Sequence, residues 1–133
     1  MADPVHIASL NWLADVEDHD FDAAFAYLSL RWDDDAAKKM VAALRQAKVT
    51  TRRPNDILRA CDRAPLPIDD PGVRRDLGKV IDGKKLSPVL VVSHPVAADI
   101  ADGYHRVSLA YNIDPFAPMP LRIAFYDPRA RQG

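Results

Sequence analysis

Between residues 102 and 106 the chain reads Asp-Gly-Tyr-His-Arg, a glycine set among ionisable side chains. The run follows a short apolar segment and leads into "VSLAYNI", whose apolar spacing is helical, so Gly103 stands at a strand-to-helix joint. A glycine there allows a sharp turn and close backbone approach, while the following helix aims free N–H groups and its positive dipole end at the same point. Such a joint is a seat for an anion. Arg106 can add a bidentate grip on phosphate oxygens, His105 can donate a further hydrogen bond, and Asp102 can cap the turn or hold a ligand hydroxyl or a metal. An arginine in the first helical turn opposes the dipole unless something negative compensates it. That compensation comes either from a bound anion or from an internal carboxylate, Asp102 or Asp99.

The remaining reactive groups point to less. Asp99, Asp102 and His105 are spaced so that a strand-to-turn segment does not bring them to one face, and no metal site is assigned to them. Cys61 lies on the apolar side of a short helix with no histidine nearby, as a buried structural thiol does. His6, His19 and His94 read as surface or turn residues. From Arg45 to Arg63, the bases Arg45, Lys48, Arg52, Arg53, Arg59 and Arg63 face only Asp56 and Asp62. Arg52, Arg53 and Arg59 are the candidates for a nucleic-acid backbone patch, with a solvated loop as the plain alternative. Trp12, Trp32 and the phenylalanines sit at helical spacing or helix ends, which favours core packing over base stacking.

These residues need elements to hold them. Phe21, Ala24, Phe25 and Leu28 mark a first helix behind Asp20 as N-cap, and Ala37, Met40, Val41 and Leu44 mark a second with acids at its start and Arg45 and Lys48 at its end. "PNDILRACD" is a short third helix, started at Pro54 or capped by Asn55. The opening around Val5 and Ile7 alternates like a strand and then stops doing so. After Pro65 the pattern becomes helix–strand–strand–helix–strand. Asp70 caps a helix over 71–82 that Gly83 ends, "LSPVLVV" is a strand buried on both faces, and "AADIAD" is a weaker strand. A helix over 105–112 ended by Asn112 and a last strand "MPLRIAFY" complete the set.

Composition sets outer bounds. The 133 residues, 48% of them hydrophobic, suffice for one domain with its own core. A net charge of −1 excludes a general polycation, so any nucleic-acid contact is local. One cysteine and the lack of a leader pattern point to a reducing cytoplasm, and no apolar run reaches the roughly 20 residues of a membrane helix. The only glutamate is Glu17.

The order "APLPIDDPGVRRDLGKVIDGKKLSPVLVV", "DIADGYHRVSLAY", "MPLRIA" resembles the ParB/sulfiredoxin-like domain, over about residues 64 to 126, and Asp102–Arg106 is similar to that superfamily's "DGHHR" signature. The resemblance implies an α+β (α/β) fold, a small mixed sheet with flanking helices, here preceded by a helical N-terminal half. The whole is then one domain, with a helical part over 1–63, the core over 64–126 and a tail over 127–133. It also implies that the Gly103-Tyr104-His105-Arg106 turn binds a phosphate of a nucleotide (ATP, ADP or CTP, with or without Mg2+) or of a nucleic acid, in a DNA-related or regulatory role. Tyr104 stands where sulfiredoxin-like members carry the nucleophilic cysteine, which excludes sulfinic acid reduction, since a phenol of pKa near 10 cannot replace a thiolate. Gly103 and Arg106 match the CTP box of partition proteins, but Ser108 replaces its second arginine. Free-serine kinases, a third branch, need a catalytic carboxylate, and Glu17 is distant in sequence. The other function classes are a superfamily enzyme, nuclease or nucleotide-dependent phosphotransferase, with Asp102 and His105 as its groups, and a protein-interaction module that docks through the N-terminal helices.

Overall fold

The computed structural model describes residues 10–127 and 129, so the Val5/Ile7 segment and His6 lie outside the described residues. In chain order these form α1 (Asp18–Arg31), α2 (Asp34–Gln46), β1 (Val49–Arg52), α3 (Pro54–Ala60), α4 (Pro71–Ile81), β2 (Val89–Ser93), β3 (Ala98–Asp102), α5 (Tyr104–Ile113) and β4 (Met119–Phe125). The strands make one mixed sheet in the order β1-β4-β2-β3, with β2 and β4 parallel and both outer pairs antiparallel. This is an α+β fold in layers. Leu90, Val92, Ala101 and Ala124 pack against Phe21, Ala24 and Leu28 of α1 and Ala37, Met40 and Leu44 of α2. On the other face Val89, Val91, Ile100, Met119 and Leu121 meet Ile57 and Leu58 of α3 and Val107 and Ala110 of α5. The fourth helix packs outside α5 through Val73 and Leu109.

Local chemistry accounts for most boundaries. Asp33 caps α2 by accepting from Ala36 N–H, and Asp70 caps α4 by accepting from Gly72 and Val73 N–H, with Pro71 at the first helical position. Gly83, at φ 81°, ends α4 in the left-handed conformation. Val89 to Val92 are all buried, as a run without alternation requires of a strand covered on both sides. Between β2 and β3 the register shifts: Val91 pairs with Ile100, but Leu90 pairs with Asp102, leaving Ala101 as the extra residue. Without that bulge, strict alternation from Ile100 would turn Asp102 toward the α3/α5 face. With it, Asp102 shares Leu90's face and looks toward α1.

Three expectations need correction. Asp20 does not cap α1, which starts at Asp18 with Glu17 in the cap position. Its side chain is instead drawn inward, where Ser87 and Arg106 give it better partners than the first-turn amides do. The part over 1–63 is not purely helical: its helices pack on the sheet, α1 and α2 on one face and α3 on the other, with a strand among them. Between them, Val49–Arg52 forms an edge strand on β4, in a segment too short and too polar to announce itself by alternation. Phe116 and Phe125, expected in the core, are 59% and 77% exposed.

Gly78 lies inside α4 with nothing within 4 Å of where a β-carbon would sit. Gly78→Ala should therefore stabilise the protein by about 0.5–1 kcal/mol through the lower backbone entropy of the unfolded chain, read as a raised urea midpoint at unchanged m-value.

Candidate functional site

At the joint of β3 and α5, Arg106 settles the alternative between bound anion and internal carboxylate. Its guanidinium, with only 12% of the side chain exposed, donates to Asp102 Oδ2 at 2.7 Å and to the Ser87 carbonyl at 2.7 Å, and lies 3.5 Å from Asp20 Oδ2. The arginine thus points into the protein. Ser87 Oγ donates to Asp20 and in turn accepts from the Glu17 N–H, so the cluster joins α1, the approach to β2, the end of β3 and α5. Two carboxylates share one guanidinium. Burial raises the Asp102 carboxyl above its ordinary range and the charge of Asp20 adds to that, against the opposing pull of Arg106.

Gly103 has φ 107°, and a β-carbon on it would strike Val89 and the Arg106 guanidinium, so both the turn and the packing demand glycine. Tyr104 donates its hydroxyl to the Ala64 carbonyl, and Arg63 lies over its ring at 4.2 Å from the centroid. His105 packs on Gly72 and places Nε2 3.7 Å from Asp70, with half of its side chain exposed. The N-termini of α4 and α5 therefore meet at His105. Asp70 satisfies the first amides of α4, whereas Gly103 offers no side chain to α5, and the N–H groups of Tyr104, His105 and Arg106 have no hydrogen-bond partner among the described residues. Gly103 to Arg106 and Asp102 thus lie together, with His105 half exposed, the Tyr104 ring packed against the core and the Arg106 guanidinium turned inward.

Of the basic segment, Arg52, Arg53 and Arg59 gather near Asp56 at the β1–α3 corner, and Arg45 stands apart. Arg45 is on α2, on the opposite face of the sheet from α3, and stands 4.3 Å over the Phe21 ring. Arg53 and Arg59 both hold Asp56, and Arg52 donates to Thr50 Oγ1 and the Thr51 carbonyl. Asp99, Asp102 and His105 are likewise apart. Asp99 is buried in a network that the sequence did not announce, accepting from His94 Nε2 at 3.1 Å and from Tyr27, and paired with Arg31 at 3.3 Å. His94 is a turn residue as expected, but its side chain is 4% exposed, held because Ala97 N–H donates to Nδ1 and leaves Nε2–H for Asp99. Cys61 is buried, and burial pushes its thiol up to about 11, which makes it a poor nucleophile.

Glu17, remote in sequence, is brought to this site by the start of α1. Glu17, His19 and Asp20 each bring one potential ligand atom within 4.8 Å of the others. Asp20 is already engaged by Ser87 and Arg106, which weakens it as a metal ligand. Neither a family model, a curated protein nor a solved structure matches the chain. Among the described residues no helix is long and apolar enough to cross a membrane.

Arg106→Ala strands two facing carboxylates and should destabilise the fold by about 3–5 kcal/mol. Asp102→Asn, which leaves Arg106 one carboxylate, should cost much less. The raised Asp102 carboxyl means that the folded state holds the proton more tightly than the unfolded chain. The stability of the wild type relative to Asp102→Asn should therefore rise as pH falls from 7 toward 3.8, and denaturant melts of both proteins across that range measure it.

Proposed function

We propose that the chain is a ParB-like binding domain whose α5 turn takes a phosphate of a nucleotide or of a nucleic acid, in a DNA-related or regulatory role. The observation that carries this reading is the open start of α5: amides of Tyr104, His105 and Arg106 without partners, at the meeting of two helix N-termini, with a half-exposed imidazole beside them. The amides supply the oxyanion contacts and the helix dipole favours negative charge there. His105 adds a directed hydrogen bond. Arg63, laid on the Tyr104 ring, keeps a cation near the same turn. Arg106, by contrast, serves through its position: its guanidinium fixes the turn from inside, and only its amide faces a ligand. This departs from the superfamily pattern in which the arginine is read as a phosphate clamp.

A second reading is favoured by one observation. Burial and the charge of Asp20 raise the Asp102 carboxyl above its ordinary range, the direction in which a general acid is tuned, which suits a nuclease or a nucleotide-dependent phosphotransferase.

A thermal-shift series with ATP, ADP, CTP, inorganic phosphate and short DNA, each with and without Mg2+, tests the binding reading. A ligand at 100 times its Kd should add about 2.7 kcal/mol to stability. His105→Ala should weaken that ligand by about 1.5–3 kcal/mol while leaving the empty protein's melting midpoint nearly unchanged. No shift with any of them, or equal affinity for the His105→Ala protein, would refute the seat. Hydrolysis of nucleotide or DNA that is lost in Asp102→Asn would favour the enzyme.

A further inference from the structure

The α3/α5 face of the sheet is only partly covered. Toward the Ser93–Phe125 end, Val91, Ala98, Ile123 and Phe125 are left in an open apolar trough of about 250 Å³, walled by Ile57 and Ala60 of α3. Volumes of this size fall just below the range that holds drug-sized ligands, so the occupant is short. The rim is not apolar. Arg52 and Asp56 stand at it, and Asp56 is occupied by Arg53 and Arg59. Arg52 has no carboxylate within salt-bridge distance among the described residues; it is steadied by Thr50 Oγ1 and the Thr51 carbonyl, both neutral acceptors. Those two bonds use Nη1 alone and leave Nε and Nη2 of the guanidinium to face an incoming anion. We propose that this trough binds a small carboxylic acid with an apolar body, the hydrocarbon lying on Val91 and Ile123 and the carboxylate meeting Arg52. Charge complementarity selects the class: an apolar wall with one unneutralised cation fits an amphipathic anion better than a neutral hydrocarbon or an amine. The proposal is independent of the α5 turn, which lies at the opposite end of β3.

Methyl-resolved NMR titration of the full chain with hexanoate, hexanol and acetate tests it. Hexanoate should shift the Val91 and Ile123 methyls saturably, hexanol at least tenfold more weakly, and acetate not at all. Arg52→Gln should weaken hexanoate at least tenfold and leave hexanol unchanged. Ala60→Trp, at an exposed position on α3 where folding is not at stake, should block both by filling the mouth. Equal affinity for hexanoate and hexanol, an Arg52→Gln protein that binds hexanoate as the wild type does, or unmoved Val91 and Ile123 methyls at millimolar hexanoate would overturn the proposal.

Discussion

A single guanidinium shared by two carboxylates sets the geometry of everything around the β3–α5 joint. Arg106 reaches Asp102 on its own side, Asp20 on α1 and the Ser87 carbonyl ahead of β2. Isolated, each of these groups would be costly to bury, and together they satisfy one another only if four segments arrive in register. Gly103 follows from this, since a side chain there would collide with the arginine it must let past. So does the bulge in β3, which turns Asp102 to the side where α1 brings Asp20. The surplus negative charge is the residue of the arrangement, and it adds to burial in raising the Asp102 carboxyl above its ordinary range.

The helices were legible because their signals are local. Asp70, Pro71 and Gly83 mark α4 by capping, fixed φ and positive φ, and apolar spacing marks α1 and α2 without reference to anything else in the chain. The start of α1 differs from its local signal for the same reason: Asp20 looks like a cap by itself, and only Ser87 and Arg106, far along the chain, draw it inward. The β1 strand has four residues, two of them threonine, and owes its existence to pairing with β4 rather than to its own pattern. The site was half legible. Spacing located the turn and its residues, but whether Arg106 faces a ligand or a carboxylate depends on which face Asp102 takes, and a one-residue bulge decides that. The buried His94–Asp99 pair could not be found from types alone, since nothing in "SHPVAAD" tells that Arg31 and Tyr27 will close over it.

The two faces of the sheet are finished differently. On one, α1 and α2 lay two long helices over β2, β3 and β4. On the other, the seven-residue α3 and the ten-residue α5 cannot span the same width, and the Ser93–Phe125 end stays open. Phe125 is exposed there because no element is long enough to reach it. The helix that opens at its N-terminus and the sheet that opens at its end lie on the same layer, so both candidate sites derive from the shorter of the two coverings.

The position of β4 has a consequence for how the chain reaches this structure. Of the four strands it is the last in chain order, yet it lies inside the sheet, between β1 and β2. Until it is in place, β1 has no partner at all and β2 pairs only with β3, so the first half of the molecule is left with helices that have half a sheet to rest on. During synthesis α1 and α2 therefore find no sheet until β2 and β3 emerge, and their cover stays incomplete until β4 follows. Assembly is then governed by one late, non-local insertion, and a nascent chain stalled before Met119 presents open strand edges on both sides of the gap that β4 would fill.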